Sequence, residues 1–380
     1  MWAIIPRLTG TSAGHSFLKR SLMSADTAQH IRERRAQRLI HRAVHATRMG
    51  WYAGLYRLSR RLTTPTPAAP GVAERMPPPA QLRADLLALI EQDLTHIEAG
   101  LYRMPEEVVP GPTALRQAAR YLADLRAVDR RRRAGDGQEV FRARGDRRLP
   151  RYYLQNFHYQ TDGYLSRRSA ELYDFQVEVL FGGSADLMRR QALAPIARHI
   201  ARRHQAALRL IDIGCGTGRF LSQVKSNWPR LHVTGVDLSP YYLSEARDRL
   251  SSWSRVSLVE GAAEKLPYAD CGFDIVTSVY LLHELPRRVR HAALSEMARV
   301  LKPGGLLVLV DSLQRGDRPE YQALMDHFPS AFHEPYYEDY TQDDLSAVLR
   351  AAGLVPAAVE LAYLSRILIA TRPAGSTPFG

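Results

Sequence analysis

The segment Leu210–Phe220 constrains this chain more than any other. An apolar run, Leu210-Ile211-Asp212-Ile213, passes directly into Gly214-Cys215-Gly216-Thr217-Gly218 and then into helix-forming residues from Arg219 onward. Glycines allow a tight turn and let the backbone approach a ligand where a Cβ would clash. The N–H groups at the start of the following helix then face that ligand. In an open parallel sheet such a loop lies at the carboxyl end of a strand, where ligands bind.

The sequence around it alternates in the same way. Strand-like runs at Leu208–Ile213, Val233–Asp237, Val256–Glu260, Phe273–Val279 and Leu306–Asp311 are separated by amphipathic segments near 219–228, 241–250 and 288–302. That order predicts a parallel sheet with helices on both faces. Two last strands, near 355–361 and 363–371, are joined too tightly for a crossover helix and should pair antiparallel. The predicted class is therefore α/β and Rossmann-like: a mostly parallel seven-stranded sheet with an antiparallel C-terminal hairpin, preceded by a helical N-terminal extension.

Three regions follow. Residues 1–80 form a basic, partly disordered or helical extension ending in the Pro-rich linker Thr64–Pro79. Within it, Met49–Leu62 has the pattern of a helix lying on a membrane surface or packed on the protein's own body. Residues 81–149 are helical. Leu82, Leu86, Ile90, Leu94, Ile97 and Leu101 mark one helix stopped by Pro105, and Leu115, Ala119, Leu122 and Leu125 mark a second opened by Pro112. The run Arg130–Arg133, followed by Gly135 and Gly137, reads as a solvated boundary. Residues 150–380 form the α/β domain, with its motifs in 205–312.

The net charge is +13. Residues 1–150 hold 26 Lys and Arg against 14 Asp and Glu, while residues 151–380 hold 26 against 25. The excess lies outside the α/β domain, which argues against a nucleic-acid partner at the site itself. Only four of the basic residues, at 19, 225, 265 and 302, are lysine, a bias that GC-rich coding alone produces. Two cysteines rule out a disulfide framework or a cysteine metal site, and a cytoplasmic location fits. No apolar run approaches the roughly 20 residues that cross a bilayer. Met1–Met23 lacks a secretory pattern and reads as a disordered leader, an upstream start preceding Met23, or a transit peptide.

A dinucleotide fingerprint wants its third glycine where Arg219 stands. The pattern here, Asp212-x-Gly214-x-Gly216-x-Gly218, instead resembles the first motif of class I S-adenosylmethionine-dependent methyltransferases. Asp237 follows at the spacing of an acid that grips ribose hydroxyls. Glu260–Pro267 resembles the family's adenine loop, Phe273–Ser278 its fourth strand and Arg299–Gly305 the turn into its fifth. The match is nearest the type 11 branch that includes ubiquinone and menaquinone biosynthesis methyltransferases. The resemblance implies S-adenosylmethionine as cofactor, held by Asp212, Gly214, Cys215, Gly216, Gly218, Asp237, Leu238, Ala263, Glu264 and Tyr280. Ala262 departs from it, standing where the family often has an aspartate that binds adenine, so Glu264, a backbone carbonyl or a water must serve.

Such a cofactor requires no metal, and none is expected; His327, His333 and Glu334 are too scattered to bind one. The work left to the protein is alignment, exclusion of water and removal of a proton. His283, just past the fourth strand, is the candidate general base as a neutral imidazole, its alternative role being packing or capping; Glu284 is expected to be structural. Tyr153, Asn156, Tyr159, Gln160 and Tyr173 are candidates for a lid, and His333 and Tyr336 for the acceptor pocket. The expected function is methyl transfer to oxygen or carbon of a small apolar or aromatic molecule. The alternatives are an RNA or protein methyltransferase that docks through its basic N-terminus, a non-catalytic adenosyl-ligand-binding protein, and an NAD-dependent dehydrogenase. Weak membrane-surface contact through the basic N-terminus is a further expectation, and the oligomeric state is not assigned.

Overall fold

A computed structural model of the chain describes residues 13–64, 66–105, 110–144 and 149–375, with side chains from residue 35 on, Arg144 excepted. The leader expected over Met1–Met23 falls partly outside the described residues, which begin at residue 13.

The seven strands are β1 (Arg209–Ile213), β2 (His232–Asp237), β3 (Val256–Glu260), β4 (Phe273–Val279), β5 (Leu301–Ser312), β6 (Val355–Ala362) and β7 (Ser365–Thr371). They lie in the order β3-β2-β1-β4-β5-β7-β6. The first five are parallel, and β7 runs antiparallel to both β5 and β6. Both faces are buried, which is why β1 is apolar at successive positions. Leu210 packs into the core on one side together with Val233, Ile275 and Val308. Ile211 packs into the other with Val276, Leu307 and Leu309. Gly235, in the middle of β2, is required by space: a Cβ there would lie 2.7 Å from Cys215 Sγ and 2.8 Å from Leu258. The turn expected at Arg299–Gly305 is instead the junction of the preceding helix, which ends at Val300, with a longer β5 that carries an irregularity. Phe273 pairs with Leu301 but Ile275 with Leu306, and Gly304 takes up the slack at φ +74°.

The helices before β1 are α1 (Ala13–Leu62), α2 (Pro79–Glu98), α3 (Pro112–Ala134), α4 (Glu139–Arg144), α5 (Arg167–Leu180), α6 (Ala185–Arg190) and α7 (Leu193–Ile200). Those after it are α8 (Arg219–Asn227), α9 (Pro240–Leu250), α10 (Arg287–Val300), α11 (Gln322–Ala331), α12 (Tyr337–Thr341) and α13 (Leu345–Ala351). The stretch Met49–Leu62 is the end of α1, and it packs on the protein: Tyr52 and Leu55 are buried against Ala118 of α3 and Phe175 and Val179 of α5. The linker expected over Thr64–Pro79 is shorter, because Pro79 already occupies the first turn of α2.

Two readings of the extension are corrected. Leu115, placed on the buried stripe of α3, is 59% exposed, and the buried positions are Ala118, Asp124, Leu125, Asp129 and Arg131. The arginine run is solvated only in part, at Arg130 and Arg133. It is the last turn of α3, closed by Gly135 at φ +61°, and the buried Arg131 donates to the Tyr159 carbonyl at 2.9 Å and to Glu139 at 3.1 Å. Sequence pattern marks charge, but long-range acceptors decide which charge is buried.

Asp93 fastens the extension to the domain. Its carboxylate accepts both prongs of the Arg190 guanidinium at 2.8 Å and the Tyr102 hydroxyl at 2.8 Å. His41 Nε2 lies 3.2 Å away. Burial pushes the Asp93 carboxyl up, but Arg190 and the hydrogen bonds outweigh it and hold the group well below the usual range. His41, His45 and Asp93 have metal-like spacing; Arg190 already supplies the cation. Removing one partner of a buried pair leaves the other charge without compensation. Asp93→Ala is therefore expected to cost about 3–5 kcal/mol in urea unfolding, whereas a change under about 1 kcal/mol would make the clamp incidental.

Candidate active site

A cleft of about 940 Å³ opens at the carboxyl ends of β1, β2 and β4. Its floor is the glycine loop. Gly214 and Gly216 have φ of +73° and +53°, a left-handed conformation that favours glycine. The Gly216 N–H donates to Asp237 Oδ2 at 2.8 Å and the Ser239 N–H to Oδ1 at 2.8 Å. Burial raises the Asp237 carboxyl, and these backbone donors oppose the rise. Asp212 accepts from Thr277 Oγ1 at 2.8 Å across β1 and β4, and burial carries its carboxyl up to about 7 against that bond.

Of the expected cofactor residues, Asp212, Gly214, Cys215, Gly216, Asp237, Leu238, Ala263 and Tyr280 line the cleft. Gly218 and Glu264 do not. Gly218 is the left-handed cap of α8, and a Cβ there would sit 3.1 Å from both Ala246 and Leu250, so its role is packing. Glu264 accepts from the Tyr152 hydroxyl at 2.8 Å, and it is Tyr152 that reaches the cleft. Arg219, which spoils a dinucleotide fingerprint, holds Asp186 of α6 at 3.0 Å.

The segment before α5, together with α5 itself, folds over the cleft through some of the expected residues and not others. Tyr153 and Tyr173 line it; Asn156, Tyr159 and Gln160 do not. Asn156 accepts from the Val140 N–H at 3.0 Å and donates to the Gln160 carbonyl at 2.9 Å, while Gln160 donates to the Gly163 carbonyl at 2.8 Å. The amides are spent on an irregular backbone in which His158, Tyr159 and Asp162 all have positive φ. The walls are aromatic: Phe157 stacks on Tyr164 at 5.5 Å. Ser239 Oγ donates to the Tyr164 carbonyl at 2.6 Å, and the Tyr164 hydroxyl donates to Glu284, so the lid is pinned to the ends of both β2 and β4.

A second cavity of about 740 Å³ adjoins the first, and the two share Tyr173, Tyr280 and Glu284. Its remaining lining is largely apolar and includes Phe181, Leu313, Met325, Phe328 and Tyr337, with His158 and His283 among its polar groups. His333 and Tyr336 lie outside it. His333 bonds Gln155 at 2.9 Å, and it is the neighbour Tyr337 that faces the chamber. His158 was not singled out from the sequence, although the aromatic run around it marks the segment. Burial, reinforced by His283 and His333, drives its imidazole down to about 3, so it is neutral.

His283 and Glu284 differ from expectation. Burial pulls the His283 imidazole down, but the Asp311 carboxylate 2.6 Å from Nδ1 outweighs it and raises the pKa to about 9. The ring is thus an imidazolium at neutral pH, not the neutral base expected. Glu284 is no mere structural neighbour, because it lines both cavities. Burial raises its carboxyl to about 7 against the opposing pull of His283 and the Tyr164 hydroxyl.

Residues 210–305 match the family model described as a methyltransferase domain. Proteins called demethylmenaquinone methyltransferase from Staphylococcus aureus are 39% identical over 105 residues, which is 27% of this chain and 43% of theirs. The chain thus spans less than half the length of these relatives. Among solved structures, a SAM-dependent methyltransferase from Aquifex aeolicus aligns with 49% of this chain and 92% of its own at 19% identity and a TM-score of 0.38. An O-methyltransferase family protein from Burkholderia thailandensis aligns with 55% and 64% at 21% identity, also with a TM-score of 0.38. With its strand order, glycine loop and family match, the α/β part of the chain is a class I S-adenosylmethionine-dependent methyltransferase domain. The cofactor of that domain is S-adenosylmethionine.

Two consequences are measurable. Gly218→Ala is expected to lower stability by about 1–2 kcal/mol, the cost of a left-handed alanine, and to leave affinity for S-adenosylhomocysteine unchanged; lost affinity with unchanged melting would place Gly218 back in the site. Because the folded pKa of His283 lies above its unfolded value near 6.5, its ion pair stabilises fully below about pH 6.5 and fades as pH rises through about 9. The stability gap between wild type and His283→Gln in urea unfolding should shrink over that window, and a gap that widened would contradict the pairing.

Proposed function

We propose that this chain transfers the methyl group of S-adenosylmethionine to oxygen or carbon of a small apolar or aromatic acceptor. The observation that carries the reading is that the cofactor cleft and the apolar chamber meet across Tyr173, Tyr280 and Glu284. The cleft suits the cofactor: the positive-φ backbone at Gly214 and Gly216 leaves room for close approach, and the Asp237 oxygens, which accept from the Gly216 and Ser239 N–H groups, have lone pairs over for ribose hydroxyls. Gly214, Cys215, Gly216, Asp237, Leu238 and Ala263 would hold it, with Asp212 and Tyr280 beside them. The bound cofactor supplies a methyl group activated on a positive sulfonium.

The protein's own part is to dry the site and handle a proton. Tyr153, Phe157 and Tyr164 cover the cleft with aromatic surface, which excludes competing water. As the acceptor oxygen or carbon takes the methyl group it must shed a proton, and the Glu284 carboxylate at the junction receives it. His283, fixed by Asp311, presents a cation to the chamber, which favours ionisation of an acceptor hydroxyl. RNA or protein substrates, and a non-catalytic role, are less well supported by a small apolar chamber that contains titratable groups. A cytoplasmic location is part of the same proposal; among the described residues no helix is long and apolar enough to cross a membrane.

Asp237→Ala is expected to weaken binding of S-adenosylhomocysteine in calorimetry about ten- to a hundredfold, since hydrogen bonds to a charged group contribute about 1.5–3 kcal/mol. Tighter binding of NADH than of S-adenosylhomocysteine would overturn the cofactor reading. With labelled cofactor and an apolar phenol or quinol that accepts methyl, the rate should climb as Glu284 ionises near pH 7 and hold until His283 loses its proton near pH 9. A climb centred near 9 would return the base role to His283.

A further inference from the structure

The chamber does not end at its own walls. His158, Tyr173, Val177, Leu180, Leu324 and Phe328 also line a groove of about 2070 Å³ that runs out beneath the N-terminal extension. Its outer walls are Tyr56 of α1, Met76, and Leu125 and Val128 of α3, together with Ala331 at the end of α11 and Phe332 just beyond it. Most of that wall precedes residue 210, outside the matched methyltransferase segment.

The rim has a distinct chemistry. The ends of α1 and α3 lie side by side, joined by Ser59 Oγ and the Tyr121 hydroxyl at 2.9 Å and by the Thr64 N–H donating to Asp129 at 3.0 Å. Arg57, Arg60 and Arg61 on one helix and Arg126 and Arg130 on the other are exposed, and Arg60 lines the groove itself. Among the described residues none of these five is within ion-pair distance of an acid. On the same two helices Arg38 is matched with Glu98, Arg42 with Glu91 and Arg133 with Asp129, while Arg35 and Arg116, each far from this cluster in sequence, are exposed without an acid partner among the described residues. In sequence Leu58, 40% exposed, stands between Arg57 and Arg60, and Leu62, 57% exposed, follows Arg61. Exposed leucines flanked by uncompensated arginines are the pattern of a face that rests on anionic lipid.

We propose that this rim is a docking face for an anionic lipid surface, from which an apolar acceptor enters the groove and reaches the chamber. The contact is peripheral, since among the described residues no helix can span a bilayer. Charge complementarity selects the surface, and continuity of the groove with the chamber gives the contact a purpose. The second half rests on the reading of the chamber as the acceptor site; the docking itself does not.

The test is flotation of the full chain with vesicles of phosphatidylcholine alone and of phosphatidylcholine mixed with phosphatidylglycerol. Binding is expected to the mixed vesicles, falling as salt is raised. The triple change Arg57→Gln, Arg60→Gln and Arg61→Gln should lower partitioning about a hundredfold, because each basic residue near such a surface contributes about fivefold. Leu58→Gln with Leu62→Gln should weaken it while leaving the salt dependence in place. Equal partitioning onto both vesicle types, no binding to either, or retention of a single-stranded RNA by these arginines in place of vesicles would each overturn the proposal. Binding of S-adenosylhomocysteine by the same variants is expected to be unchanged, and its absence in the wild type would bring down the active-site reading and not the docking face.

Discussion

A carboxylate buried at the end of β2 sets the terms for the rest of the site. Asp237 is costly to bury, and the fold meets that cost with two backbone N–H groups, from Gly216 and Ser239. The Ser239 donor belongs to the turn that follows Asp237, whereas the Gly216 donor is within reach because β1 and β2 are parallel neighbours. The bond to Gly216 fixes the glycine loop, and Ser239 in turn ties down the lid through the Tyr164 carbonyl. Loop, lid and cleft are thus anchored on one acid.

The sheet was legible because period and position report it directly: a strand buried on both faces must be apolar throughout, and a short link between two strands permits only a hairpin. The glycine loop and Asp237 were legible for the same local reason. The lid was not. Its polar residues looked functional, yet Asn156 and Gln160 satisfy their own irregular backbone, and the neighbouring rings of Phe157 and Tyr164 build the wall. The roles of His283 and Glu284 depend on Asp311, a residue 28 positions from His283, and on Tyr164. Partners at that distance in sequence leave no local signature, so a neutral base and a structural acid were expected where a cation and a cavity-lining carboxyl stand.

The N-terminal extension was read as an appendage, and its energetics say otherwise. Leu89, Ile90 and Tyr102 belong to the same core as Leu210 of β1 and Leu221 of α8. The Asp93–Arg190 pair lies within the seam. A buried pair adds less stability than it adds geometry, and here it dictates how α2 seats on α6. The groove beneath the extension keeps its shape because this seating is fixed.

Among the described residues Tyr173 alone borders the cofactor cleft, the chamber and the outer groove at once. Divergence of acceptor preference in such a chain would therefore proceed unevenly. Residues of the outer groove such as Val128 or Met76 are free to drift, since each alters one compartment alone. A change of bulk at position 173 would disturb three compartments together, so it acts as a pivot about which the others can vary while it stays constant.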